Sequence, residues 1–220
     1  FTDPAVNHPV GAQSVECRID AERAGVDFIL DTLENHSLKG VFFVEVLNTS
    51  YFGDEPMGAI ARKIHKRGHD VQFHAHPCWT AFSDAAWQTS VLANRPSDSF
   101  AELCDADILR ILDTGRRVFS RWGLPAPCAF RAGNLQVDTR IYPLLEQAGI
   151  PLSSNIGLGT FQPADPLLRL AGGRHWIGRT LEIPVSAYLD VRLPGMRRWK
   201  TFTVVGTGGR EARQWLGHAS

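Results

Sequence analysis

The chain has 220 residues, 44% of them hydrophobic and 21% charged, the composition of one globular domain or of one α/β barrel that folds as a unit. Lys plus Arg and Asp plus Glu balance at 23 each, so no global field draws the protein to nucleic acid, an anionic membrane or an acidic polymer. Cys17, Cys78, Cys104 and Cys128 stand too far apart for a C-x-x-C pair or a dense disulfide framework, which makes reduced thiols in a cytoplasmic setting the expectation.

From about Ala24 helical and strand-like segments alternate, the pattern of a βα architecture with a mainly parallel sheet. Val26, Ile29, Leu30 and Leu33 recur at helical spacing ahead of the short, β-branched and aromatic run Gly40 to Val46. Met57 to Arg67 carries Ile60 and Ile64 at i,i+4 and stops at Gly68, a residue that commonly closes a helix. The strand Asp70 to His76 follows. After it, Trp79 to Leu103 reads as a long insertion of the kind that shapes a substrate rim.

Asp105 to Trp122 presents a broad apolar face and closes at Gly123. Cys128 to Arg131 is the next strand. Thr139 to Ala148, ended by Gly149, is a helix whose first turns Pro143 should disturb. Leu152 to Asn155, Leu181 to Ser186 and Thr201 to Val205 read as strands, and Gly209 to Leu216 as a last helix. No run reaches the roughly 18 to 20 apolar residues of a membrane-spanning helix. The start shows neither a basic segment nor an apolar signal region. Because the first residue is Phe1, a removed signal or a lost first strand stays open.

Repeated βα units build an open doubly wound sheet or a closed barrel, and in both the chemistry sits at the carboxyl ends of the strands. In Asp70 to His76 polar residues alternate with apolar ones, so Gln72, His74 and His76 share one face. Two neutral imidazoles side by side can supply two nitrogen ligands to a divalent ion and leave positions for a carboxylate and water. Two hydrogen-bonded histidines with no metal are the plainer alternative for a bare H-x-H, and the surroundings decide between them.

The segment Gly68-His69-Asp70-Val71-Gln72-Phe73-His74 resembles the second motif of the polysaccharide deacetylases, carbohydrate esterase family 4, and places His74 on the metal-binding histidine. Gly40 to Val44 is similar to the family's T-F-F strand, Phe130-Arg131 to its arginine motif, and Leu181-Glu182-Ile183-Pro184 to its E-[IL]-P segment. The four matches run in the family's order from Gly40 to Ser186. The resemblance implies a distorted (β/α) barrel of about seven strands, one catalytic domain over 1–220, and a carbohydrate substrate. It also implies a divalent metal cofactor, of which zinc is the one imidazole ligands favour.

The departures are specific. The family's second histidine would fall at Cys78, so the second ligand is His76, Cys78 or another residue; His76 is preferred because it shares the strand face with His74, whereas Cys78 lies beyond Pro77. The arginine motif continues Arg131-Ala132-Gly133-Asn134, without the family's prolines and aromatic residue, which marks a divergent branch. For the first motif, source of the general base and third ligand, Phe1-Thr2-Asp3 has the ingredients without the intervening residue; Asp3 is that ligand and base, or the motif precedes Phe1. The closing leucine and histidine motif is missing too, so both ends are expected to be clipped.

Arg131 would orient the base by this resemblance. Asn134 is a candidate sugar contact, beside a plain turn role for Gly133-Asn134. Trp79 and Trp87 are candidates to stack on a sugar, beside packing the insertion down. Glu45 could face the cleft or pair with a basic residue. The implied reaction is hydrolysis of an acetamide on an N-acetylated sugar. Hydrolysis of other C–N bonds on the same fold, and an inactive glycan-binding relative, are its rivals. The absence of a G-x-G-x-x-G or a P-loop after any strand disfavours a nucleotide site.

Overall fold

The computed structural model describes residues 2–3, 8–9, 13–19, 22–93, 96–193 and 196–201. Six strands form its main sheet: β1 (Val41–Glu45), β2 (Asp70–Ala75), β3 (Ala129–Ala132), β4 (Leu152–Ser153), β5 (His175–Ile177) and β6 (Thr180–Glu182). Their order is β1-β2-β3-β4-β6-β5. All neighbours are parallel except β5, which runs antiparallel to β6. Helices α1 (Val26–Asn35), α2 (Glu55–Lys66), α3 (Trp87–Ala93), α4 (Asp105–Arg121) and α5 (Ile141–Gln147) supply the connections. The fold is thus mixed α/β with a mainly parallel sheet, as the alternating pattern predicts.

The sheet is held by apolar contacts with the helices packed on it. On β2, Val71, Phe73 and Ala75 are buried, and the Phe73 ring meets Phe119 of α4 and Phe130 of β3 at 6.5 and 5.0 Å between centroids. Burying one such side chain is worth about 1.5–3 kcal/mol. Met57, Ile60, Ala61 and Ile64 form the inward face of α2. The stop glycines read from the sequence, Gly68, Gly123 and Gly149, take left-handed φ of 76, 69 and 71°. His69, inside the segment that resembles the deacetylase motif, is a staple: its buried ring accepts from the Gly40 N–H at 3.1 Å and ties the entry of β1 to that of β2.

Several boundaries differ from expectation. The helix around Pro143 begins at Ile141, which puts the proline in the first turn, where its missing N–H costs nothing. β4 and β6 are shorter than predicted, and β6 ends at Glu182, ahead of Pro184. β5 and the hairpin of β7 (Ala187–Leu193) with β8 (Met196–Thr201) are unanticipated. Thr201 closes β8; the rest of the expected 201–205 strand, and the expected helix over 209–216, lie outside the described residues. The four cysteines are free thiols, and among the described residues no helix is long and apolar enough to cross a membrane.

Candidate metal centre

Strands β1, β2 and β3 end side by side, and their register sets Glu45 opposite His74 and His74 opposite Arg131. His76 follows one residue beyond the end of β2. The His74 Nδ1 lies 2.7 Å from the Arg131 carbonyl oxygen. A carbonyl only accepts, so Nδ1 carries the proton and the ring's lone pair sits on Nε2. The His76 Nδ1 lies 2.7 Å from Oδ2 of Asp98, which imposes the same tautomer when the carboxylate is ionised. The two rings stand nearly perpendicular, 4.8 Å apart.

Glu45 completes the group. Its Oε1 accepts from the Leu47 N–H at 2.6 Å and its Oε2 from the His76 N–H at 2.7 Å. One ligand atom from each of Glu45, His74 and His76 falls within 4.8 Å of the others. Burial, and then the neighbouring His76, push His74 down to about 4, so the ring is neutral at physiological pH. Burial pushes the Glu45 carboxyl up to about 8 against the pull of its two backbone donors. Among the described residues Glu45 makes no ion pair. A metal fits this chemistry: two imidazoles, each hydrogen-bonded through Nδ1, and a buried carboxyl that a cation would deprotonate are an N2O donor set, and each carboxyl oxygen keeps lone pairs beyond its one N–H bond.

Cys78 stands outside this group. Burial, then the charge of Asp98, push its thiol up to about 12, so it stays protonated where a metal ligand must be a thiolate. The structure therefore groups His76, and not Cys78, with His74.

Gly133, immediately after β3, lies flat against the His76 ring. A Cβ there would sit 2.5 Å from the ring's Cγ, far inside contact distance. Gly133→Ala is expected to push His76 off its place, costing about 1–3 kcal/mol of stability read by thermal unfolding. A variant with parental stability would show that the turn yields instead. The turn itself runs through Asn134 and Leu135 at φ 53 and 57°, the left-handed region where asparagine is tolerated best.

The other predicted residues separate. Asn134 takes the turn position and donates from Nδ2 to Asp98 at 2.7 Å. Trp79 is 2% exposed, packed against Phe52 and Phe82, so it holds the insertion down and offers no face to a sugar. Its expected stacking role is corrected on that ground. Arg131 donates from Nε and from a terminal nitrogen to the Ser154 carbonyl and hydroxyl at 3.1 and 2.6 Å, and its guanidinium lies 4.2 Å above the Phe43 ring centre. The backbone of Asp3 pairs with His8 in a small ladder separate from the main sheet. Its side chain lies outside the described residues.

Two site residues escaped or were undervalued by sequence reading. Glu45 shares a face with Val41 and Phe43 by alternation, but only the parallel register shows that this face carries His74. Asp98 sits in the insertion, where no periodicity marks it.

Behind this row a second polar cluster is closed to solvent. Glu182 of β6 is fully buried and accepts from the backbone N–H of Asn155 and Ile156 at 2.9 and 3.2 Å, from Tyr142 Oη at 3.2 Å and from the Ser153 hydroxyl. Asn155 in turn accepts from the Ala132 N–H at 2.6 Å, which ties the cluster to the end of β3.

No protein-family model matches the sequence, and no curated protein matches it. Among solved structures, the chain is similar to a protein of Mycobacterium smegmatis provisionally described as a polysaccharide deacetylase, with 16% identity and a TM-score of 0.49. The likeness covers 88% of this chain and 57% of that one, so the chain spans little more than half the length of the protein it resembles.

Proposed function

We propose that the chain is a metal-dependent hydrolase that removes acetyl groups from N-acetylated sugars, with a divalent ion, zinc by its donor set, held by Glu45, His74 and His76. The observation that carries this reading is the convergence of one carboxylate and two tautomer-fixed imidazoles at the carboxyl ends of adjacent parallel strands. When bound, such an ion supplies Lewis acidity toward an amide carbonyl and a water nucleophile at neutral pH. The chain's part is to keep the His74 imidazole neutral, to aim both rings through Arg131 and Asp98, and to offer the Glu45 carboxyl as the third ligand. Arg131, fixed by Ser154 and Phe43, holds a positive charge in the same row. Asp3 retains in this reading the role of base that the sequence resemblance implies. The same reading takes residues 1–220 as one catalytic unit whose sheet belongs to a distorted barrel of about seven strands.

A second reading keeps the metal and changes the substrate to a small cyclic amide. It is favoured by the turn after Arg131, where Asn134 is committed to Asp98 and the wall that would meet a polymer is built differently. One experiment addresses both: zinc-loaded protein is offered N-acetylated chito-oligosaccharides and a panel of cyclic amides, with acetate and ring-opened product quantified. Acetate release supports the deacetylase. Ring opening alone moves the assignment to the second reading, and turnover of neither removes both.

A further inference from the structure

We infer that Asp98, carried by the insertion after β2, is a positioning residue for His76; the metal part of this inference rests on the proposed metal centre. Three observations converge on it. The first is the bond itself: Asp98 Oδ2 lies 2.7 Å from His76 Nδ1, on the opposite side of the ring from the nitrogen that would meet an ion. A carboxylate at this place fixes both tautomer and ring orientation and makes the other nitrogen a better donor to a metal.

The second is that Asp98 is itself held. Its Oδ2 also accepts from Asn134 Nδ2 at 2.7 Å, and Asn134 follows Gly133, the residue that packs on the Nδ1 part of the His76 ring. The carboxylate and the glycine turn thus both meet the imidazole at Nδ1, and a hydrogen bond joins them.

The third is the anchoring of the segment that presents it. Two residues on, Phe100 is 1% exposed and packs on Phe130 of β3 at 5.3 Å, and the Phe100 and Ala101 N–H groups donate to the Gln136 carbonyl at 3.0 and 3.3 Å. The Arg140 guanidinium donates to the carbonyls of Ala101 and Leu103 at 2.9 and 3.0 Å. An insertion that merely covered the surface would not need a buried aromatic plug and four hydrogen bonds to its backbone so near one carboxylate.

The test uses the full chain. In metal-free, 15N-labelled protein the His76 tautomer is read by long-range proton–nitrogen correlation, and zinc affinity is measured by competition with a chromophoric chelator. The parent is expected to show the Nδ1–H tautomer. Asp98→Ala is expected to shift His76 toward the Nε2–H form that a free imidazole prefers and to bind zinc about 10- to 100-fold more weakly. Asp98→Asn, whose amide oxygen still accepts from Nδ1, is expected to keep the tautomer and lose less affinity, a graded rescue that a purely structural role does not produce. A parental tautomer in Asp98→Ala, with affinity within about twofold of the parent, overturns the inference. A parent that binds no zinc overturns the metal centre instead, and the tautomer shift then decides alone whether Asp98 orients His76.

Discussion

A His74→Ala, His76→Ala double variant is expected to lose its zinc, from about one equivalent per chain in the parent to background, when both are loaded, desalted and measured by elemental analysis. Under the proposed metal centre, removing two of its three ligands leaves Glu45, and a single carboxylate does not retain a divalent ion through desalting. Lewis-acid stabilisation of several kcal/mol goes with the ion, so hydrolysis should fall by about 10³-fold or more. The fold should survive. Each ring makes its main polar bond through Nδ1, to the Arg131 carbonyl or to Asp98, and losing such a bond costs about 0.5–1.5 kcal/mol. Loss of metal with an intact melting transition therefore isolates the site from the scaffold. A double variant that kept its zinc would place the ligands elsewhere, with Cys78 and Asp3 the next candidates.

The largest loss of stability is expected from Glu182→Ala. The substitution strands the Asn155 and Ile156 N–H groups and the Tyr142 hydroxyl in a site closed to solvent. Deleting one member of such a buried network costs about 3–5 kcal/mol. For a chain of this length that lowers the melting temperature by about 10 °C. Glu182→Gln keeps an acceptor for the backbone donors and should cost far less. The parent and Glu182→Gln also differ in pH dependence. Burial raises the Glu182 carboxyl above its ordinary 4.5, against the opposing effect of its hydrogen-bond donors. A raised acid favours folding most when protonated, so its contribution is fully present below 4.5 and is lost as pH rises through the folded value. Glutamine cannot ionise, so the gap between parent and Glu182→Gln should narrow as pH increases. A gap that widened with pH would mean that the folded state holds Glu182 as a stabilised anion.

The sequence made the scaffold legible where the pattern is long and regular. β1, β2 and α4 fall within a residue or two of their expected limits, because an unbroken apolar run or a broad helical face leaves few alternatives. His74 and His76 were legible because two polar residues on one face of a buried strand are costly unless they do something. Glu45 was visible as a residue but not as a partner, since alternation reports the face and not the neighbouring strand's register. Asp98 was invisible: a serine-rich insertion has no period, and the acid's place depends on Phe100 finding a slot beside Phe130. β5 and the β7–β8 hairpin escaped for a related reason, their pairing being antiparallel and local in a chain whose dominant signal is parallel and long-range.

The row Glu45, His74, Arg131 across three parallel strands also bears on how the chain reaches its native state. Parallel strands separated by whole helices must find each other over long stretches of sequence, a slow search in which pairings displaced by one residue compete. Such a slip turns every side chain to the opposite face. It would send Glu45 into the hydrocarbon packing and break the bond from His74 to the Arg131 carbonyl. The three strand ends therefore work as an alignment key. Under the proposed metal chemistry, the fraction of molecules that recover zinc after denaturation counts those in which all three strands paired in step.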